Sequence, residues 1–244
     1  MTVAVILAGG AGSRMAASLE EGGAVPKQFM LLAGREVIEY SIDTFCSHPA
    51  VDEVCVVVHP DWRGHMESMA ARNNWPKLRR ILDGGAERYM SSLAAIMAYI
   101  DYPDDTVMML HDAARPFVTP DIIGRLADAM KHSEAAGVAV PCTDTLWEVH
   151  PDLEDDYVGR FVARVPERRL MWCAQTPQAF LLPTLRDAYQ RALQDPRFAA
   201  TDDCGVVRRY MGGVKIRVVE GDERNFKLTV GSDLARAAAL LNNE

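Results

Sequence analysis

The sequence lacks the cysteine pattern of a disulfide-stapled or zinc-binding protein. Its 244 residues include five cysteines, an odd number, and no Cys-x-x-Cys pair. That spacing argues against a disulfide framework and against a zinc knuckle. We therefore expect reduced thiols in a cytoplasmic protein.

A long apolar run and an excess of basic residues are absent as well. The N-terminal apolar run covers only residues 3–8 and follows no basic region, so it is too short for a signal peptide or a membrane span. The net charge of -8 disfavours nucleic acid and membrane surfaces as partners, because a phosphate polymer needs a broad positive surface. A small anionic ligand in a locally basic pocket is compatible with that charge.

Short apolar runs recur along the chain at intervals typical of βα repeats. They are "VAVILA" (3–8), "VCVVVH" (54–59), "RRIL" (79–82), "TVMML" (106–110) and "GVAV" (137–140). Their continuous rather than alternating hydrophobicity predicts strands that are covered on both faces. The predicted fold is one α/β domain over residues 1–244, with a mostly parallel sheet and helices on each side.

Helical spacing fills the segments between these runs. Met90, Leu93 and Met97 share one helical face, and a second helix should begin at Thr119 and Pro120, a good N-cap and first helical residue. Further elements are predicted in the last quarter of the sequence. They are a helix over 183–193, a strand over 214–220 and a closing helix after Ser232.

The βα rhythm stops between residues 141 and 169. There, "TLWEV" and "YVGRFVARV" predict two strands around the acidic turn "HPDLEDD". We interpret residues 141–169 as an inserted, protruding β-arm. Such arms commonly pack against a second subunit, so a homodimer is expected.

The stretch "VILAGGAGSRM" (5–15) leads from the first predicted strand into a glycine-rich loop that closes at Arg14. No lysine follows its last glycine, so it is not the G-x-x-x-x-G-K-[ST] loop, and its glycine spacing also fails G-x-G-x-x-G. Two interpretations stay open. The glycines serve a tight βα turn, or they let backbone N–H groups approach a base or phosphates while Arg14 adds charge.

Two later motifs could complete an anion site. "PKQF" (26–29) supplies Lys27, a second cation of the kind a triphosphate requires, although a lone lysine is usually only solvated. "TVMMLHDAARPF" places Asp112 directly after a buried strand, with Arg115 close behind. Ligands of open α/β sheets bind beyond the carboxyl ends of strands, so Asp112 is well placed to hold Mg²⁺, or else to cap a turn. His111 is interpreted as structural.

Seven motifs then occur in an order known from one family. They are "LAGGAGSRM", "PKQF", "HDAARPF", "DTL", "QTPQAF", "TDDC" and "NFKLT". The chain resembles the cytidylyltransferases that act on sugar-alcohol phosphates, which serve isoprenoid and cell-wall teichoic acid synthesis. The resemblance implies a Rossmann-like nucleotidyltransferase fold, an arm that interlocks two subunits, CTP and Mg²⁺ as requirements, and release of pyrophosphate.

The resemblance also implies roles for individual residues. Asp112 would bind the metal, and Arg115 would lie close to the polyol. The CTP triphosphate would be held by Ala8, Gly9, Gly10, Gly12, Arg14 and Lys27. Gly85 and Ser91 would lie near the cytidine. The phosphorylated substrate would be surrounded by Thr145, Arg168, Thr176, Thr201 and Lys227. Thr145 and Arg168 come from the arm and can serve the neighbouring subunit's site.

The implied reaction needs positioned charge rather than a proton transfer. An anionic phosphate oxygen attacks the α-phosphorus of CTP, so catalysis would rest on Arg14, Lys27, Arg168 and Lys227. Two departures from the family pattern are the long loop 16–25 and Ala86, where the family often has an acidic residue.

Local likeness favours D-ribitol 5-phosphate as the acceptor, with CDP-ribitol as product. The segments that carry it are "LAGGAGSRM" (7–15), "DWRGH" (61–65), "VPERRLMWCAQTPQAF" (165–180) and the cysteine of "TDDC". "AVPCTDTLWEV" (139–149) instead resembles the enzymes that act on 2-C-methyl-D-erythritol 4-phosphate, which is the alternative acceptor. Two other classes stay open, an NAD(P)-binding oxidoreductase and a non-catalytic nucleotide-binding protein.

Overall fold

The computed structural model describes residues 1–10, 25–85, 87–151 and 160–241, and its central element is a seven-stranded sheet. Its strands are β1 (Thr2–Ala8), β4 (Glu53–Val58), β5 (Leu78–Asp83), β6 (Val107–Asp112), β7 (Ala135–Pro141), β10 (Trp172–Leu181) and β11 (Ile216–Glu220). Two small hairpins contribute β2 (Leu31–Leu32) with β3 (Arg35–Glu36), and β8 (Glu148–Pro151) with β9 (Arg160–Arg164). The sheet order is β11-β7-β10-β6-β1-β4-β5, and only β10 runs antiparallel to its neighbours. The predicted mostly parallel α/β sheet is confirmed.

Helices cover both faces of the sheet, as the continuous apolar runs predict. The helices are α1 (Val37–Ser47), α2 (Arg63–Arg72), α3 (Arg88–Ala98), α4 (Pro120–Met130), α5 (Leu182–Ala192), α6 (Asp203–Tyr210) and α7 (Gly231–Leu241). Ala4 and Ile6 of β1 face the cluster that holds α1, α2 and α4, whereas Val3 and Val5 face the cluster of α3, α5 and α6. Both faces of β1 are therefore fully buried, which gives it its place in the middle of the sheet.

The predicted start of α4 is confirmed. The Thr119 hydroxyl oxygen accepts a hydrogen bond from the Ile122 N–H at 3.3 Å, and Pro120 occupies the first turn. The hydroxyl thus satisfies one of the N–H groups that a helix start leaves open.

Two strands differ from the expectation. β5 is only partly buried, because it forms the edge of the sheet instead of an interior position. β10 was not expected as a strand, since "WCAQTPQAFL" is exposed at its start and buried only from Gln175 onward. Its pairing with β7 shifts register between Ala174 and Gln178. Irregular pairing of this kind re-aims side chains, here at the edge where the parallel strands end.

The predicted arm is a hairpin. β8 and β9 pair antiparallel, and the acidic turn between them, residues 152–159, lies outside the described residues. Large apolar side chains on and next to this hairpin are exposed. They are Leu146, Trp147, Val149, Phe161, Val162, Val165, Leu170 and Trp172. Among the described helices, none is both long and apolar enough to cross a membrane.

Candidate active site

The carboxyl ends of the central parallel strands meet at one edge of the sheet. β1 ends there at Ala8, and its neighbour β6 ends at Asp112. β10 approaches the same edge from the opposite direction, so that the Asp112 N–H donates to the Thr176 hydroxyl oxygen at 3.0 Å. A cavity of about 260 Å³ opens at this point. Its lining residues are Arg88, Asp112, Arg115, Ala174, Gln175, Thr176, Gln178, Thr201, Asp202 and Lys227.

Half of these lining residues were predicted from the sequence, namely Asp112, Arg115, Thr176, Thr201 and Lys227. They come from segments that lie far apart along the chain, after β6, within β10, before α6 and before α7. The lining carries three cations against two carboxylates, on a chain whose net charge is -8. The cavity is thus the locally basic pocket that an anionic ligand needs on an acidic protein.

Asp112 is the centre of this charge cluster. It is buried, with one carboxylate oxygen 2.8 Å from the Lys227 ammonium and the other 3.3 Å from Arg88 Nε. Arg115 Nε lies 3.7 Å away. Burial alone would raise the pKa of Asp112, but Arg88, Lys227 and Arg115 outweigh it and hold that pKa well below its usual range. Asp112 is therefore a carboxylate at every physiological pH.

Arg88, which was not predicted from the sequence, links Asp112 to Asp203 at the start of α6. Its Nη1 atom lies 2.8 Å from Oδ2 of Asp203, a carboxylate with no exposed surface. Asp203 also accepts a hydrogen bond from the Tyr189 hydroxyl at 2.7 Å. Arg88 is the first residue of α3 and follows Gly85 by three positions in "DGGAERYM". This closeness to a predicted nucleotide contact is the sequence feature that could have indicated Arg88 as a site residue.

His111 belongs to a hydrogen-bond chain beneath the site. Because the Thr176 hydroxyl accepts from the Asp112 N–H, its own proton is free for His111 Nδ1 at 3.2 Å. The other ring nitrogen then donates to the Arg115 carbonyl at 3.1 Å. Burial lowers the pKa of His111 to about 4. A neutral histidine with both nitrogens engaged fits the predicted structural role, fixing the turn that carries Asp112 and Arg115.

The glycine turn lies beside the start of α3. A Cβ on Gly9 would overlap Ser91 Oγ, and one on Gly84 would lie 2.7 Å from the same oxygen. At these positions a Cβ would force the Ser91 hydroxyl to move. At Gly10 a Cβ would meet no described atom within 4 Å, and the backbone is not left-handed. Among the described residues, no atom therefore fills the space beside the Gly10 backbone.

Lys27 begins a short 3-10 turn, Lys27–Phe29, and is half-buried. The next residue, Gln28, donates from its amide to the Ala8 carbonyl at 2.7 Å and to the Gly10 carbonyl at 3.3 Å. The structure therefore brings the PKQF segment to the glycine turn, as an anion site made of both would need.

Eight of the predicted residues that the structure describes are not among the lining residues of this cavity. They are Ala8, Gly9, Gly10, Lys27, Gly85, Ser91, Thr145 and Arg168. Thr145 and Arg168 are exposed at the base of the arm, and Arg168 donates to the Thr143 carbonyl at 3.1 Å. Neither is among the lining residues. Gly85 does not line the cavity either, because it packs against Met90 beside the glycine turn. Gly12, Arg14, the loop 16–25 except Val25, and Ala86 lie outside the described residues.

A metal ion would find few protein ligands at this edge. In the described ranges no cluster of three or more His, Cys, Asp or Glu side chains has the arrangement of a metal site. Asp112 nevertheless offers an ionised carboxylate at the cavity. Mg²⁺ commonly binds through one or two carboxylates and takes its remaining ligands from substrate phosphates and water. The residues thus fit a metal that arrives with a nucleotide.

Comparison with known proteins finds a family whose model matches nearly the whole chain. The family model described as 2-C-methyl-D-erythritol 4-phosphate cytidylyltransferase matches residues 2–243. The chain is 45% identical to the 2-C-methyl-D-erythritol 4-phosphate cytidylyltransferase of Thermobifida fusca, over 98% of this chain and 92% of that protein. It is 34% identical to a bifunctional ribulose 5-phosphate reductase/CDP-ribitol pyrophosphorylase of Haemophilus influenzae, over 99% of this chain and 48% of that protein.

A solved structure shares the fold. The 4-diphosphocytidyl-2C-methyl-D-erythritol synthase of Anaerococcus prevotii superimposes with a TM-score of 0.82 at 24% identity, over 99% of this chain and 96% of that chain. At this identity the match shows the common α/β nucleotidyltransferase architecture.

The neutral state of His111 predicts a pH dependence of stability. The unfolded chain binds a proton at this residue near its ordinary pKa of 6.5, whereas the folded chain does so only near 4. Stability should therefore fall as pH drops from 6.5 to 4, by up to about 3 kcal/mol from this group. Urea unfolding of the wild type and of His111→Gln across this range measures it. A His111→Gln variant that loses stability as steeply as the wild type would contradict the buried neutral histidine.

Proposed function

The chain belongs to the 2-C-methyl-D-erythritol 4-phosphate cytidylyltransferase family, and on this basis we propose that it transfers CMP from CTP to 2-C-methyl-D-erythritol 4-phosphate. Members of this family are CTP-dependent nucleotidyltransferases, and this membership sets aside the oxidoreductase alternative. The preference for ribitol 5-phosphate gives way to the alternative acceptor, since the family match and the Thermobifida relative both carry the name of the methylerythritol compound.

Part of the ribitol preference relied on segments that lie away from the cavity. "DWRGH" forms a 3-10 turn and the start of α2, where Trp62 stacks on Phe29 with ring centroids 4.8 Å apart. Residues 165–170 are mostly exposed and do not line the cavity. Likeness in such segments follows ancestry and packing. Other parts of the same segments do line the cavity, so the acceptor is proposed from the family match and not from these segments. The lining residues in question are Ala174, Gln175, Thr176, Gln178, Thr201 and Asp202.

The observation that carries the proposal is the basic cavity at Asp112. Three cations face a space at the carboxyl edge of the sheet, and the glycine turn lies at the same edge, where no described atom fills the space beside Gly10. A triphosphate and a second phosphate are both strongly anionic, so bringing them together requires this density of positive charge.

The proposed reaction is an in-line displacement at phosphorus. An oxygen of the acceptor phosphate forms a bond to the α-phosphorus of CTP, and the bond from that phosphorus to the bridging oxygen of pyrophosphate breaks. The attacking oxygen is already anionic at neutral pH, so no general base is needed. His111 agrees with this, because both of its ring nitrogens are engaged in the hydrogen-bond chain.

The phosphates and the cytidine are proposed to bind to a set of cationic side chains, hydroxyls and backbone groups. Lys27, together with Arg14 and the backbone of Ala8, Gly9, Gly10 and Gly12, holds the triphosphate and takes up charge on the leaving group. Lys227 anchors the acceptor phosphate with Thr176 and Thr201, and Arg115 lies near the polyol. Gly85 and Ser91 flank the cytidine. Lys227 is suited to its role because its side chain is about one-third exposed and can turn from Asp112 to a phosphate.

Mg²⁺ is proposed to enter with CTP and to be held by Asp112. When bound, it neutralises phosphate charge and makes the α-phosphorus a better electrophile. Asp112 is prepared for this because the surrounding cations keep it ionised.

The arm is proposed to join two copies of the chain. The eight exposed apolar side chains on and next to it form the kind of surface that soluble monomers avoid, and a symmetric dimer would cover it. Thr145 and Arg168 lie on this arm, outside the cavity of their own chain. We infer that they complete the partner's site and bind the acceptor phosphate there.

Pyrophosphate release tests the reaction and its acceptor together. The protein is assayed with CTP and Mg²⁺ and either 2-C-methyl-D-erythritol 4-phosphate or ribitol 5-phosphate. We expect kcat/KM to be at least tenfold higher for the methylerythritol compound, because an unpaired polar group at a misfit acceptor costs about this much. A preference for ribitol 5-phosphate would reverse the acceptor assignment, and no release with either would refute the function.

Mixing two inactive variants tests the arm. Lys27→Ala impairs the body of a site and Arg168→Ala impairs the arm, and both should lower turnover at acceptor concentrations below KM. In a mixed dimer, one site combines an intact body with an intact partner arm. Half of the dimers are mixed, so equal mixing should restore about a quarter of wild-type activity.

A matched mixture serves as the control. Lys27→Ala and Lys227→Ala both lie in the body, so their mixed dimers contain no intact site and should stay inactive. If Lys27→Ala with Arg168→Ala also stays inactive after subunit exchange, or if sedimentation gives a monomer mass, the arm does not serve the partner.

A further inference from the structure

Gln28 is a buried glutamine whose side chain binds the backbone of the glycine turn. The residue is 3% exposed, and its amide nitrogen donates to the carbonyls of Ala8 and Gly10. Ala8 is the last residue of β1, and Gly10 lies within the glycine turn. One amide group therefore joins the PKQF segment to both ends of the described part of this turn.

These contacts join two segments that lie far apart in the sequence. Sixteen residues separate Gly10 from Lys27. The Gln28 amide nitrogen lies 2.7 Å from the Ala8 carbonyl and 3.3 Å from the Gly10 carbonyl, and it is a described side-chain contact between the two segments.

The 3-10 turn Lys27–Phe29 is also held in place by Phe29. Phe29 is buried and stacks on Trp62, and His65 packs edge-on against both rings. His65 in turn lies 2.7 Å from Glu36. Gln28 and Phe29 are thus both buried and both hold the 3-10 turn. Lys27, the first residue of that turn, is only half-buried.

The amide also occupies two oxygens that would repel an anion. Backbone carbonyls carry partial negative charge, and a free carbonyl facing a phosphate would oppose binding. Hydrogen bonding keeps the Ala8 and Gly10 carbonyls directed toward Gln28.

We propose that Gln28 is a positioning residue that sets Lys27 against the glycine turn, so that both meet the same triphosphate. The inference rests on the proposed function, which assigns the triphosphate to Lys27 and the turn. Gln28 itself touches neither substrate. Its effect on catalysis passes through Lys27, since a displacement of about 1 Å in a charged contact can cost up to a hundredfold in rate.

A double-mutant cycle on Lys27 and Gln28 tests this. Gln28→Met keeps the side-chain length and removes the amide, and we expect it to lower kcat/KM for CTP roughly tenfold or more. In a Lys27→Ala background, itself reduced by about a hundredfold, the same change should lower it less than twofold, because there is no lysine left to position. The KM for the acceptor phosphate should stay near the wild-type value in Gln28→Met.

Two further variants control for folding. Gln190→Met removes an exposed glutamine from α5 and should leave kcat/KM unchanged in both backgrounds. Gln28→Asn retains an amide on a shorter stem and should lie between the wild type and Gln28→Met. It replaces Gln28→Met in the cycle if thermal unfolding shows that the methionine variant does not fold.

The outcomes separate this inference from the function it rests on. If Lys27→Ala turns over like the wild type, the role of Lys27 fails, and the inference fails with it. If Lys27→Ala is impaired but Gln28→Met costs the same factor in both backgrounds, the function stands and Gln28 acts independently of Lys27. Wild-type activity of Gln28→Met would also overturn the inference.

Discussion

The buried carboxylate of Asp112 is the group on which the arrangement of the site depends. A carboxylate taken out of water is costly unless it is paired, and removing one partner of a buried pair typically costs about 3 to 5 kcal/mol. The partners of Asp112 come from widely separated segments, Arg88 at the start of α3 and Lys227 before α7. Thr176 on β10 binds its backbone. Pairing this one charge therefore requires the end of β6, the start of α3 and the segment before α7 to converge on a single point.

The same requirement gives the site its chemistry. Cations that neutralise Asp112 also make the cavity basic, and the carboxylate they hold ionised is a ligand of the kind that Mg²⁺ takes from proteins. Arg88 is held by Asp203 as well as by Asp112, whereas Lys227 has greater exposure. Arg88 is therefore suited to holding Asp112 in place, and Lys227 is suited to moving from Asp112 to a substrate phosphate.

Those features that follow from local sequence rules were predictable. Continuous apolar runs gave β1 and β6, and strand ends in a parallel sheet placed Asp112 and the glycine turn at one edge. Thr176 and Lys227 could be chosen only by likeness to a family, because no local rule brings them to Asp112. Arg88 and Gln28 were missed because an arginine or glutamine becomes functional only through partners far away in sequence. β10 was not predicted because its exposed first residues and its irregular pairing leave "WCAQTPQAFL" without the continuous apolar run of the other strands.

The central claim is that the cations around Asp112 and the glycine turn bind the phosphates of both substrates side by side. A crystal structure with Mg²⁺, the acceptor phosphate and a CTP analogue that cannot be cleaved between the α- and β-phosphates tests it most directly. The account predicts the triphosphate between Lys27 and the Gly9–Gly10 backbone, with the Lys227 ammonium moved from its 2.8 Å contact with Asp112 onto a phosphate oxygen. Nucleotide bound away from this edge, with Lys227 still on Asp112, would contradict it.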